Sequence, residues 1–413
     1  MALTGPADTA LGPPQRLVEG VEHLARAFPD LDGLALLGER AALMGLWRRG
    51  SASCGGSCRL LPCADGVLAV SLPRAADVEM VPAWLEIEPD PGPDHHRHGT
   101  PDAAASPALW STVAKGVRHR PAQVLTERAS LLGLPVTRVG EAGGPGARAP
   151  VVQTYLGDAP PRPSAADLLV VDLSALWAGP LCGDLLAGAG AAVVKVESTQ
   201  RPDGARRGAR AFYDLLNGRK RSVALDLRSP QGMRTLRALV RRADVVLESS
   251  RPRALAQFGI DAEAVTAGTP DDRGPQVWVS ITGYGRAGAH ANRVAFGDDA
   301  AAAGGLVSWI DDQPFFCADA VADPLTGLTA AAGCLDALRA GGRWLLDVSM
   351  AAVSADLAGP TLPSGAGQPV AAPRARPVLA RAPDLGADTA QVLGELGLDS
   401  PSAVRSPPTT SRS

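Results

Sequence analysis

One aspartate stands in a context where a carboxylate can do more than cap a helix. Asp323 lies in Val321-Ala-Asp-Pro-Leu-Thr-Gly-Leu-Thr-Ala-Ala. Pro324 suits a first helical position, so Asp323 is expected as the N-cap of a helix running to about Arg339. A helix N-terminus keeps a carboxylate ionised and fixed, which a carboxylate nucleophile also needs. Capping alone accounts for the residue type, so both roles stand. Asp298 and Asp299, in GDDAAAAGGL, open another expected helix and read as caps. Cys54, Cys58 and Cys63, with His95, His96 and His98 further on, invite a metal reading. Their C-x3-C-x4-C spacing is not a zinc pair, and the histidines fall in a Pro/Asp-rich loop, so no metal is assigned. The turn Ser174–Pro180 has neither GxGxxG nor GxxxxGK[ST], and the chain has no G-x-S-x-G elbow for a serine hydrolase.

The elements that position Asp323 begin at Leu168. LLVVDL (168–173) is a continuous apolar run, as expected of a strand buried on both faces. AGPLCGDLLAGAG (178–190) reads as a helix with a glycine stop, and AAVVKVE (191–197) as the next strand. Asn217-Gly-Arg-Lys-Arg-Ser222 is a cationic turn into the strand RSVALDL (221–227). Ser229 and Pro230 then cap and start a helix to about Arg242. ADVVLES (243–249) and VWVSITGYG (277–285) supply two further strands. This alternation predicts an α/β fold with a doubly wound, mostly parallel, Rossmann-like sheet.

Around that block the texture changes. Residues 1–140 carry helix-like segments near 15–28 and 33–48, a short strand from Val67 to Leu72, and a helical pair near 107–133. They read as a smaller α+β region. Residues 141–166 read as a linker with one short apolar segment, 167–355 as the large domain, and 356–400 as a C-terminal return with a short helix. Residues 401–413 are expected to be disordered.

Composition bounds the partners. The formal net charge is −3, so no global field draws in nucleic acid or an anionic membrane. Only Lys115, Lys195 and Lys220 interrupt an otherwise all-arginine set of cations. No run of eighteen apolar residues exists, the N-terminus lacks a signal-peptide pattern, and six cysteines make no disulfide framework. A cytoplasmic protein is expected.

Taken in order, five blocks resemble the large domain of the family III CoA-transferases. They are VVDLSALWAGPLCGDLLAGAGAAVVKVE, LNGRKRSVALDLRSPQG, ADVVLESSRP, VSITGYGRAGAHANR and VADPLTGLTAAAG, the last followed by LLDVSM. The resemblance implies coenzyme A or acyl-CoA as substrate with no permanently bound cofactor, a carboxylic acid as second substrate, and a homodimer. Asp323 is then the nucleophile, passing through an anhydride and an enzyme–CoA thioester. Trp177 and Ala178 match the family's first CoA-contacting turn, Leu225 and Arg228 its adenine and phosphate contacts, and Ser249, Ser250 and Arg251 its next loop. Ser198 departs from an arginine common in the family, with Arg201 nearby. CRLLPCADGVLAVSL and RPAQVLTERASLLGLPVTRV resemble the family's small domain, which implies a permuted order with that domain first. The related α-methylacyl-CoA racemases place a histidine where this chain has Phe296 and Gly297, and His290 lies six residues too early. A diverged, non-catalytic CoA-binding subunit is the remaining alternative.

Overall fold

The computed structural model describes residues 2–88, 106–144, 146–268, 274–358 and 370–398. His95, His96, His98 and the expected disordered tail lie outside these residues. The first strands, β1 (Cys58–Cys63) and β2 (Gly66–Ser71), form an antiparallel hairpin across Ala64 and Asp65, and β3 (Val136–Arg138) pairs with β2. Leu68, Val70, Trp84, Trp110, Val113 and Leu125 fill a core between this sheet and the helices Pro107–Val117 and Ala122–Leu132.

The large sheet has seven strands: β4 (Val151–Gly157), β5 (Leu169–Asp172), β6 (Ala192–Ser198), β7 (Arg221–Leu225), β8 (Val245–Glu248), β9 (Val277–Thr282) and β12 (Arg343–Ser349). A separate hairpin, β10 (Val307–Ile310) with β11 (Gln313–Phe316), turns at Asp311 and Asp312. The sheet order is β4-β12-β9-β8-β5-β6-β7, parallel except for β4. Successive residues of the central parallel strands alternate between two cores. Val170, Val193, Val245 and Val279 pack with Leu181, Leu185, Leu325 and Leu328 of the helices Ala178–Gly188 and Ala322–Ala340. Val171, Val194, Val246 and Trp278 pack with Leu236, Leu239 and Val392 on the other face. Burial on both faces explains the unbroken apolar runs of the sequence.

From β5 the chain builds β6 and β7 to one side, then crosses back to add β8, β9 and β12 on the other. The reversal falls between β5 and β8. In sheets of this order such a reversal, at the C-terminal ends of the strands, is the usual ligand position.

Three expectations need correction. The segment 141–166 is not simply a linker, because β4 lies within it and edges the large sheet against β12. Its exposed outer surface hides it from an apolar-run reading. The expected helix 33–48 breaks at Gly38 into Gly33–Leu36 and Glu39–Met44. Leu17, Val21, Leu36 and Leu37 pack into the large-sheet core, so the first forty-odd residues serve the large sheet rather than the small one. The return segment also docks there: Ser222 N–H donates to Asp388 at 2.7 Å, beside the helix Thr389–Glu395.

This packing predicts a contrast between two leucines. Leu239→Ala, in the second core, should cost about 2–5 kcal/mol in denaturant unfolding. Leu131→Ala, 89% exposed, should stay within about 0.5 kcal/mol of the parent.

Candidate active site

The two loops at the strand-order reversal touch. β5 ends at Asp172, and the turn that follows leads into the helix Ala178–Gly188. β8 ends at Glu248, followed by Ser249, Ser250 and Arg251 before the helix Pro252–Gln257. Ala175 N–H donates to Ser249 Oγ at 3.2 Å, which joins the two turns. Ser250 Oγ donates to Glu248 at 2.6 Å, and Glu248 also accepts from Ser280 Oγ at 2.7 Å and Arg286 at 3.0 Å. Trp177 is buried, edge-on to Phe212 with ring centroids 4.9 Å apart.

Leu225 and Arg228 lie at the same C-terminal edge but two strands away, beyond β6. The Leu225 side chain is buried in the second core, and its carbonyl accepts Thr199 N–H at 3.0 Å. Arg228 is exposed and donates to Gln200 at 2.7 Å, and Arg251 is exposed too. The residues singled out in the sequence therefore divide into a cluster around Trp177, Ala178, Ser249 and Ser250, and a more distant pair.

Asp323 does not cap its helix. The helix Ala322–Ala340 starts two residues earlier than expected, with Val321 as N-cap, so Asp323 and Pro324 both sit in the first turn. Proline is tolerated there because first-turn N–H groups have no partner within the helix. The chain enters through Ala318 and Ala320, both at positive φ, and Asp298 holds that entry by accepting Ala320 N–H at 3.0 Å. Asp298 thus caps the approach to the Asp323 helix and not its own, while Asp299 does cap its own by accepting Phe296 N–H at 3.1 Å.

The half-buried Asp323 carboxylate is closely confined. A Cβ on Gly297 would lie 2.3 Å from Asp323 Oδ2, so no side chain fits at that position. The Ala178 N–H, at the start of the helix Ala178–Gly188, lies near enough to the carboxylate to favour its ionised form. Burial nonetheless pushes the Asp323 carboxyl up to about 7. Arg40 and the Ala178 N–H pull it down, while the charges of Asp298 and Asp319 raise it further. Asp298 is pushed up to about 6 by burial and by Asp319, against the pull of Arg40.

Arg40 and Asp319 are the residues that sequence reading missed. From the helix Glu39–Met44, Arg40 makes a two-pronged bond to Asp319, 2.8 Å from Nε and 2.6 Å from Nη2. Its guanidinium also lies 5.0 Å from the Trp177 ring centroid. Its neighbour Glu39 is buried and bound by Arg376 of the return segment, which also reaches Asp184 at 3.0 Å. No local motif marks Arg40; it is one arginine among many in this chain.

Other candidates separate from the site. Burial raises the thiols of Cys54 and Cys58, keeping them protonated. Among the described residues no group of three His, Cys, Asp or Glu side chains could hold a metal ion, and no helix is long and apolar enough to cross a membrane. His290 is exposed, its ring 6.2 Å from that of Tyr284.

Residues 166–387 match the family model described as CoA-transferase family III. A succinyl-CoA–D-citramalate CoA-transferase of Chloroflexus aurantiacus is 34% identical over 189 residues, 43% of this chain and 46% of that protein. A succinate–glutarate CoA-transferase of Agrobacterium fabrum is 32% identical over 209 residues, 46% of this chain and 51% of the relative. A formyl-CoA:oxalate CoA-transferase of Escherichia coli is 31% identical over 180 residues, 41% and 42% of the two chains. The chain spans about half the length of the curated relatives it matches. A CAIB/BAIF family protein from Brucella suis, a solved structure, is 30% identical over 49% of this chain and 56% of its own, with a TM-score of 0.43.

The raised Asp323 carboxyl makes a prediction for stability. Between about pH 4 and about pH 7 the folded protein holds a proton at Asp323 that the unfolded chain has released. This residue's contribution to stability therefore falls as pH rises through that window. Asp323→Asn, which stays neutral, should gain stability relative to the parent from pH 4 to pH 8. Parallel stability–pH curves for the two proteins would contradict the assignment.

Proposed function

The chain belongs to CoA-transferase family III, and on that premise we propose that it moves coenzyme A from an acyl-CoA to a free carboxylic acid through Asp323. The observation that carries this reading is the Asp323 carboxylate, confined against Gly297 and held under the influence of the Ala178 backbone N–H and Arg40. An Asp323 oxygen attacks the thioester carbonyl carbon, and the C–S bond breaks to release CoA thiolate and leave an aspartyl–acyl anhydride. The thiolate then attacks the aspartyl carbonyl carbon; the first acid departs as carboxylate, leaving an aspartyl–CoA thioester. A second carboxylate takes the CoA by the same steps in reverse, and Asp323 is regenerated. The exchange is split into steps of lower barrier.

The nucleophile must be ionised, so exchange should rise with pH through about 7. On this reading CoA lies along the C-terminal edge of the sheet. Its reactive end is near Trp177 and Ala178, with Ser249 and Ser250 beside it. Its phosphates lie toward Arg228 and Arg251, whose guanidinium forks suit phosphate oxygens. Leu225 contributes backbone only, since its side chain is buried. The relatives are named for succinate, glutarate, citramalate and oxalate, so dicarboxylic acids are the first acceptors to assay. The three-stranded unit that precedes the large sheet is the counterpart of the family's small domain in permuted order, and the protein is a cytoplasmic homodimer.

A racemase needs a base within reach of the α-carbon. Position 297 has no space for a side chain, which favours transfer over proton abstraction.

Asp323→Asn should reduce exchange by at least about a thousandfold while CoA binding persists. An Asp323→Asn protein that exchanges at the parent rate would refute the mechanism. Arg228→Ala and Arg251→Ala should each weaken CoA binding by about 1.5–3 kcal/mol. Calorimetry giving parental affinity for both would remove the CoA placement.

A further inference from the structure

Arginine supplies nearly every cation of this chain, yet two of its three lysines are buried against the turn that follows β5. Lys195 is 1% exposed and Lys220 3%, whereas Lys115 is on the surface. Nothing in the proposed chemistry uses either buried amine.

Both converge on the turn between β5 and the helix Ala178–Gly188. Lys220 Nζ donates to Asp172 at 2.8 Å and to the Pro180 carbonyl at 2.7 Å. Asp172, fully buried, accepts both the Ser174 N–H, at 2.9 Å, and the Ser174 hydroxyl. Lys195 Nζ donates to the Ser174 carbonyl at 2.9 Å and pairs with Asp203 at 3.0 Å. The other Asp203 oxygen accepts the Leu176 N–H at 3.1 Å. Polar groups of Ser174, Leu176 and Pro180 are therefore tied to buried charges held together by the two lysines.

The turn needs such ties. Leu176 sits at φ +70°, a left-handed conformation that a branched side chain disfavours, and its side chain is 44% exposed, so packing does not hold it there. The next two residues are Trp177, under Arg40, and Ala178, whose N–H lies near Asp323. The space around the Lys220 ammonium is tight: a Cβ on Gly183 would lie 3.0 Å from Lys220 Nζ and 3.2 Å from Asp172 Oδ2, which favours a compact ammonium over a planar guanidinium there.

We propose that Lys195 and Lys220 are positioning residues, which fix the Ser174–Ala178 turn so that the Ala178 N–H is presented to the Asp323 carboxylate. They act through the backbone and do not touch Asp323. The groups that do face it are Arg40 from the helix Glu39–Met44, Asp298 from the helix Gly297–Ala303, Asp319 from the preceding loop, and the Ala178 N–H. Asp172 titrates at about 2, since Lys220 and Lys195 outweigh its burial, so it stays ionised while Asp323 titrates. The functional weight of the proposal rests on Asp323 being the nucleophile.

The test is a carbon-13 NMR titration of the full-length protein labelled at aspartate Cγ, with the Asp323 signal identified by its loss in Asp323→Asn. Lys195→Arg and Lys220→Arg should each move the Asp323 midpoint upward by about one pH unit, and Lys115→Arg should leave it in place. If the arginine variants do not fold, Ser174→Ala, which cuts one tie and keeps both lysines, should move it in the same direction by less. A purely structural role would lower thermal stability without moving the midpoint, and folded variants titrating with the parent would overturn the proposal. The readout needs no turnover. A parent protein that titrates as described but exchanges no CoA would sink the proposed function alone.

Discussion

Burying a carboxylate costs several kcal/mol unless its surroundings replace the lost water, and the site around Asp323 replaces it only in part. Arg40 and one backbone N–H favour the ion, whereas Asp298 and Asp319 oppose it. The result is a carboxyl raised to about 7, which the proposed mechanism uses as a nucleophile that is still ionisable near neutral pH. Much of the surrounding architecture follows from this partial compensation. Gly297 must lack a side chain, Asp298 must hold the helix entry, and Arg40 must arrive from a helix remote in sequence.

That last requirement ties the termini to the central sheet. The helix bearing Arg40 is anchored through Glu39 to Arg376, and Arg376 in turn reaches Asp184 on the helix that starts at Ala178. The N-terminal helix bearing Arg40 thus completes a site whose other parts, Arg376 included, lie in residues 166–387. A protein trimmed to that block would keep Asp323 and lose the charge that most favours its ionised form.

The sheet was legible in the sequence because parallel strands buried on both faces leave continuous apolar runs, as in Leu168–Leu173 and Val277–Thr282. β4 escaped because its residues are largely exposed and it lies among Pro- and Gly-rich turns. Asp323 could be singled out from its own neighbours, but its place in the helix came out two residues off. The proline rule favours the first position, and here Pro324 occupies the third. Arg40 and Asp319 were invisible for a different reason. Their significance lies wholly in tertiary contact, and an arginine in a helix of this arginine-rich chain carries no local mark. The buried lysines left a trace, their rarity, whose meaning emerges only when both are found under one turn.

The account turns on whether Asp323 exchanges its own oxygen with substrate. In the proposed cycle an acceptor carboxylate attacks the aspartyl carbonyl, and when CoA thiolate then takes the acyl group, one acceptor oxygen stays on Asp323. Turnover with oxygen-18-labelled succinate, glutarate or oxalate, followed by mass spectrometry of the peptide containing Asp323, reads this directly. The account predicts heavy oxygen in the Asp323 side chain that accumulates with turnover and is absent without acyl-CoA. Continued CoA exchange with no label entering Asp323 would contradict it.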